Sequence, residues 1–131
     1  MATVPLLSDE AASPEARAVL DDIRAARRSD HVNDFWRALA HDPDEMRDVW
    51  ERAQAVMAPG ALDPLVKELI YVAVSAANGC AYCVHSHTAA ARGRGMTPEM
   101  HAELLRVVAL ANRTNALAQA MGIEPDERFR A

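Results

Sequence analysis

The chain has 131 residues, of which half are hydrophobic, and its 19 acidic and 14 basic side chains give a formal net charge of −5. A chain of this length can bury about two-thirds of its unfolded surface, so it needs no disulfide or zinc ion merely to stay folded. The negative charge argues against nucleic acid or an anionic membrane as a partner. We therefore expect a single domain over residues 1–131.

The N-terminal sequence MATVPLLSDEAASPE does not have the pattern of a secretory signal peptide, because no basic flank precedes a long apolar core. No apolar run approaches the roughly 18 residues that a membrane-spanning helix needs. Both observations predict a cytoplasmic protein without a membrane partner. Thiols stay reduced in the cytoplasm, so two neighbouring cysteines there indicate catalysis or metal binding rather than a structural disulfide.

Helix-capping residues recur along the first half of the chain. Ser13 precedes a helix predicted over residues 15–28, and Asn33 can cap a short helix that follows. Asp42 begins a third helix, with apolar side chains at helical spacing. The first 58 residues are therefore predicted to form three helices.

The next predicted helix covers residues 64–78 and is apolar almost all round from residue 69 to residue 77. A helix of that kind is expected to be buried on most sides. Asn78 and Gly79 end it, and Cys80 begins the following helix.

Thr97 begins another predicted helix, and a separate short helix is predicted over residues 114–121. The core face of the former is expected to consist of Leu104, Leu105, Val107, Val108 and Leu110. The tail, residues 123–131, is expected to be loosely held or to pack on a neighbouring subunit. Since no strand pattern competes, the sequence predicts an all-α bundle of about six to seven helices, with the Cys-x-x-Cys at the N-terminus of a central helix.

Residues 80–87 contain both cysteines of the chain and two of its histidines. On a helix at about 100° per residue, Cys80, Cys83 and His87 share one stripe, whereas His85 lies on the other side. Three ligands fall short of the four that a structural zinc site requires, which disfavours a metal site here. A Cys₂His metal-binding module remains the alternative.

A redox-active dithiol fits these residues better. The positive end of a helix favours a thiolate, and cysteines at i and i+3 can approach disulfide distance. Four residues after Cys83, His87 can exchange a proton with its sulfur. If the two helices form an antiparallel hairpin, Glu68 lies at almost the same level as His87. The predicted relay runs Glu68, His87, Cys83, Cys80, and an ordinary surface carboxylate at position 68 is the alternative.

Glu68, followed after eleven residues by CAYCVHSH, resembles the alkylhydroperoxidase D-like branch of the carboxymuconolactone decarboxylase family. The family motif is Glu and then Cys-x-x-Cys-x-x-x-His, and the similarity extends over residues 58–111. It implies an all-helical fold, assembly as homotrimers or hexamers, and peroxide reduction. By resemblance, Cys83 attacks the peroxide, Cys80 resolves the sulfenic acid to a disulfide, and a relay from Glu68 and His87 deprotonates Cys83.

This chemistry requires no organic cofactor, and a lipoyl protein, a thioredoxin-like protein or a small thiol could serve as the dithiol reductant. Tyr82 stands where alkylhydroperoxidase D itself has a histidine, so proton delivery can differ. The helix terminus favours Cys80 as the attacking thiolate, whereas proton transfer through His87, worth about 10²–10⁴-fold, favours Cys83. We predict attack by Cys83, with a structural family member of low activity as a further alternative.

Overall fold

A computed structural model describes residues 1–129 of the chain. Over this range the backbone forms six α-helices and one 3₁₀ turn, Glu127–Phe129, without a strand. The predicted all-α class is therefore confirmed. Residues 130–131, the end of the tail that the sequence predicts to be loosely held, lie outside the described part. The chain divides into two compact units, Met1–Ala58 and Pro59–Ala131, and the single domain over residues 1–131 stays a prediction.

The first unit contains α1 (Pro14–Arg27), α2 (Asp34–Leu39) and α3 (Pro43–Met57). The predicted caps begin these helices: the Ser13 hydroxyl accepts the Ala16 amide proton at 3.1 Å, and the Asp42 carboxylate accepts that of Glu45 at 3.1 Å. Asn33 occupies the N-cap position of α2, but its side chain makes no capping hydrogen bond. Local sequence therefore sets where these helices begin.

The core of the first unit is built from the apolar stripe of α1. Val19, Leu20 and Ile23 are at most 1% exposed and pack with the buried side chains of α2 and α3. Trp36 and Trp50 meet edge to face there, with ring centroids 5.4 Å apart. Burying a side chain the size of leucine stabilises a fold by about 1.5–3 kcal/mol, so this stripe makes a large contribution to stability.

The second unit contains α4 (Pro64–Ala77), α5 (Ala81–Gly93) and α6 (Pro98–Ala120). Helices α4 and α5 form a hairpin, and α6 packs against α4. The predicted turn lies at Asn78 and Gly79, where Gly79 adopts a φ of +71° that favours glycine. The Cys80 amide then donates to the Ser75 carbonyl at 2.9 Å. This tight link sets α5 directly against α4.

Two expectations about α4 and α6 are wrong. Residues 69–77 are not buried on most sides, since Ile70, Tyr71 and Val74 are 47%, 43% and 54% exposed. The separate helix predicted over residues 114–121 is continuous with α6. Within that span Thr114, whose hydroxyl donates to the Leu110 carbonyl at 3.1 Å, is accommodated inside the helix.

The predicted core face of α6 is also not a core face in the described chain. No residue of α6 is buried, and Leu105, Val107 and Leu110 are 51%, 63% and 62% exposed. Helical periodicity identifies which side of a helix is apolar, but packing decides what covers it. Among residues 1–129, no helix combines the length and the apolarity that a bilayer span requires.

Candidate active site

The two cysteines lie at the N-terminus of α5 and form a disulfide, with their Cα atoms 5.3 Å apart. Cys80 is the N-cap residue, and its sulfur accepts the Cys83 amide proton at 3.3 Å. Both side chains are half-buried. The sequence predicts this placement, which sets both sulfurs beside the unpaired amides and the positive end of the helix dipole. Such an environment stabilises a thiolate.

Glu68 and His87 meet across the hairpin. The Nδ1 atom of His87 lies 2.8 Å from Oε2 of Glu68, and Glu68 is only 4% exposed. The sequence alternative of a surface carboxylate at position 68 is therefore excluded. The structure brings together the two residues that the sequence proposes for a relay, from helices α4 and α5 of the same unit.

The contact determines which tautomer of His87 can act. An ionised carboxylate has no proton to donate, so Nδ1 of His87 carries the hydrogen of this bond. The other ring nitrogen, Nε2, is then unprotonated in the neutral imidazole and can accept a proton. His87 stands four residues, about one helical turn, after Cys83 on α5. The arrangement can therefore provide a base on the same stripe as the disulfide.

Sequence reasoning did not include Tyr71 in the site. Its ring stacks on the His87 imidazole with centroids 3.5 Å apart and an interplanar angle of 17°. Tyr71 comes three residues after Glu68, on the same face of α4. The spacing of three residues between Glu68 and Tyr71 on one helix was the signal that could have identified Tyr71.

Sequence reasoning also missed Arg94, the C-cap residue of α5. Its Nε lies 3.5 Å from Oε1 of Glu68, so the two carboxylate oxygens have different partners. Arg94 comes seven residues, or about two turns, after His87 and continues the stripe of Cys80 and Cys83. The same stripe, extended past the end of the helix, would have indicated it.

His85 and Tyr82 are the other two side chains of the CAYCVHSH segment that the sequence analysis considered. His85 is exposed, as expected for a residue off the stripe, and Tyr82 in the first turn of α5 is 45% exposed. Regarding the Cys₂His alternative, the described residues contain no group of three or more His, Cys, Asp or Glu side chains that could hold a metal ion. In the disulfide state the two sulfurs are bonded to each other and are not thiolate ligands.

Comparison with curated proteins gives relatives of two kinds. Uncharacterized protein 4 in cox locus from Paracoccus denitrificans is 33% identical over 107 residues, which is 82% of this chain and 83% of that protein. Alkyl hydroperoxide reductase AhpD from Solibacter usitatus is 37% identical over 71 residues, 54% of this chain. That match spans only 38% of the reductase, so the similarity concerns part of the larger protein.

A solved structure matches the whole chain. The crystal structure of the alkylhydroperoxidase AhpD core from Rhodospirillum rubrum superposes with a TM-score of 0.95 at 57% identity, covering 100% of this chain and 98% of that one. The model of the carboxymuconolactone decarboxylase family matches residues 43–123, more than half of the sequence. Together with the Glu68, Cys80, Cys83 and His87 motif, these matches show that the chain belongs to the alkylhydroperoxidase D-like branch of the carboxymuconolactone decarboxylase family.

Proposed function

We propose that this protein is a thiol-dependent peroxidase in which Cys80 and Cys83 alternate between a dithiol and a disulfide. The observation that carries the proposal is the disulfide at the N-terminus of α5, one turn from a histidine that is bonded to the buried Glu68. The similarity to proteins named alkyl hydroperoxide reductase and alkylhydroperoxidase supports peroxides as the substrate class.

In the first step, Nε2 of His87 takes the proton of the Cys83 thiol, and the thiolate attacks the terminal oxygen of the peroxide. The O–O bond breaks, the proton on His87 passes to the leaving alkoxide, and an alcohol departs. Cys83 is left as a sulfenic acid. Glu68, hydrogen-bonded to Nδ1 at 2.8 Å, stabilises the imidazolium formed in between.

In the second step, the Cys80 thiolate attacks the sulfur of Cys83, and the hydroxyl group leaves with the Cys80 proton as water. One peroxide and two thiols thus yield one alcohol, one water and one disulfide. Cys80 suits this role because its sulfur accepts the Cys83 amide at the helix N-terminus, which stabilises its thiolate. The attacking role goes to Cys83 because proton delivery by His87 is worth about 10²–10⁴-fold.

The test is to follow the loss of two free thiols per chain after adding organic peroxide to the reduced protein. We expect Glu68→Gln and His87→Ala to slow this loss by roughly 10²-fold or more, because each removes part of the proton relay. His85→Ala is the matched control, since His85 is exposed on the same helix. Unchanged rates in the two relay variants would refute the relay, and a wild type that keeps its thiols would refute the peroxidase.

A thiol reductant must return the disulfide to the dithiol form, with two electrons passing from the reductant to the protein. Both cysteine residues are half-buried rather than enclosed, which supports attack by an incoming thiolate. Steady-state turnover with a lipoyl protein, a thioredoxin-like protein and a small dithiol would rank these donors. If none of these donors supports turnover, the protein is a structural family member. A cytoplasmic location is also part of the proposal.

We further propose that the protein is a homo-oligomer, a trimer or hexamer, in which a second copy covers the apolar face of α6. Val107, Leu110, Leu117 and Met121 are 50–63% exposed and follow heptad-like spacing along the helix. Light scattering should give three or six times the chain mass of 14.3 kDa, as a trimer or hexamer requires. Leu110→Lys together with Leu117→Lys should reduce that mass while the helical circular dichroism remains, and a wild-type monomer would contradict this assembly.

A further inference from the structure

The segment RGRG, residues 92–95, ends α5 in a defined conformation that the sequence leaves without a role. The Arg94 amide donates to the Ala90 and Ala91 carbonyls at 3.1 Å each, and Gly95 adopts a φ of +98°, which favours glycine. Met96 then donates to Ala91 at 2.9 Å and is only 6% exposed. The backbone of Arg94 is thus held from both sides.

This helix end directs the Arg94 side chain toward α4. Its Nε lies 3.5 Å from Oε1 of Glu68, while His87 bonds to Oε2 of the same carboxylate. In the described chain, Arg94 and His87 are the basic side chains within ion-pair distance of Glu68, and Tyr71 stacks on His87. Glu68 is only 4% exposed, so its charge depends on these two partners.

We propose that Arg94 is a positioning residue that keeps Glu68 ionised throughout turnover and so keeps His87 available as a base; the inference rests on the proposed peroxidase cycle. The relay requires His87 to gain and lose a proton, so its charge cannot stabilise the carboxylate at every step. A guanidinium stays charged at every working pH. Of the two partners, only Arg94 can therefore offset the cost of burying the carboxylate during the whole cycle.

Loss of the Arg94 charge has two effects of the same sign. Glu68 binds a proton more readily, because a buried carboxylate without a permanent cation favours its neutral form. His87 also binds a proton more readily, because a nearby positive charge has been removed. Each effect takes the relay out of its active state at low pH and spares it at high pH. The acid limb of the rate profile should therefore move to higher pH.

The experiment compares Arg94→Gln with Arg94→Lys, which keeps the charge, and with Arg92→Gln. Arg92 is a matched control, since it is exposed on the last turn of α5 and forms no ion pair with a described residue. Thiol oxidation by peroxide is followed in single turnovers from about pH 5 to about pH 9. We expect Arg94→Gln to be about tenfold slower near pH 6 and close to wild type near pH 9. Arg94→Lys should be intermediate, and Arg92→Gln unchanged.

A parallel measurement needs no peroxide. Alkylation of the reduced thiols by iodoacetamide reports thiolate formation, and its pH profile should shift in Arg94→Gln in the same direction. Adding Arg94→Gln to Glu68→Gln should shift the profile less than Arg94→Gln does in the wild type, because the carboxylate is already absent and only the direct effect of the Arg94 charge on His87 remains. That double variant also separates positioning from a general loss of folding.

Several outcomes would overturn the inference. A uniform loss of rate at every pH would assign Arg94 a merely structural role. If the pH profile of the rate does not shift in Arg94→Gln, Arg94 has no role in the relay. A shift as large in the Glu68→Gln background as in the wild-type background would show that Arg94 does not act through Glu68. If the wild type consumes no peroxide, the proposed function fails, while the alkylation profiles still decide the role of Arg94.

Discussion

The two compact units of this chain use their buried positions differently. In Met1–Ala58, the fully buried side chains are apolar, among them Leu20, Ile23 and Met46, each 0% exposed. In the second unit, the buried positions include Glu68, Ser75 and Thr88. That unit also carries apolar side chains on its surface, such as those of α4 and α6.

This difference separates stability from chemistry. In a unit whose apolar stripe is covered by its own helices, the hydrophobic contribution to folding comes from contacts within the one chain. A unit that buries a carboxylate and exposes leucines and valines instead maintains a reactive site and leaves apolar surface for a partner. Substitutions in the first unit should therefore change the free energy of unfolding, and substitutions in the second should change rates and assembly.

The largest effect is expected at the cysteines of the second unit. Cys83→Ser should abolish peroxide consumption, because a serine hydroxyl at that position is not ionised at neutral pH. Cys80→Ser should still react once and accumulate a sulfenic acid on Cys83, which a dimedone probe detects by mass spectrometry. Neither variant should lose helical circular dichroism. A sulfenic acid found on Cys80 in the Cys83→Ser variant would reverse the assignment of the two roles.

In the first unit, Leu20→Ala should lower the free energy of unfolding by about 2–5 kcal/mol, because it leaves a cavity in the core of α1–α3. Urea denaturation measures this change. Leu6→Ala is the control with the same chemistry, since Leu6 belongs to the same unit but is 42% exposed. Where Leu20→Ala stays folded, it should form the disulfide with peroxide at the wild-type rate. A slow but fully folded Leu20→Ala would break the division between the units.

A smaller effect on rate is expected at Tyr71. Its ring stacks on the imidazole of His87, and an aromatic pair of this kind is worth about 0.5–1.5 kcal/mol. Tyr71→Leu should therefore slow thiol oxidation by about two- to tenfold, while Tyr71→Phe, which keeps the ring, should match the wild type. Stopped-flow oxidation of both variants makes the comparison. A loss in Tyr71→Phe equal to that in Tyr71→Leu would assign the effect to the hydroxyl instead.

The smallest effect concerns an ion-pair cluster of the first unit. A hydrogen bond from Arg24 at 2.6 Å lowers the pKa of Asp9, and a bond from Arg37 at 3.1 Å acts in the same direction. Because the folded pKa is depressed, the stabilisation is present above the unfolded value, about 3.9, and is lost as the pH falls through the folded value. Asp9→Asn should cost at most about 1 kcal/mol at pH 7, since the pair is partly exposed to solvent.

This cost should disappear in strong acid, where the wild-type carboxyl is protonated as well. Urea denaturation of wild type and Asp9→Asn at both pH values tests the sign. Peroxide reactivity near neutral pH should be the same in both proteins, because Asp9 belongs to the unit without the cysteines. A pH-independent difference in stability would show that the Asp9 charge is not the cause.

Sequence reasoning performed best where the interactions are local. The caps at Ser13 and Asp42 and the turn at Gly79 depend on residues within about one helical turn, so their effect can be derived from neighbours in the chain. The stripe of Cys80, Cys83 and His87 follows from helical periodicity alone. The pairing of Glu68 with His87 was foreseen only by assuming an antiparallel hairpin, which the tight turn provides.

Amino-acid order alone thus established the all-α class, the position of the cysteine pair and the motif of the family. Side-chain packing established which apolar surfaces are covered, and it left those of α6 exposed against expectation. It also placed Tyr71 on His87 and Arg94 on Glu68, contacts between α4 and the chain beyond the turn. The physical reason is range: capping and periodicity act within a few residues, whereas burial and ion pairing between helices depend on how the helices cross.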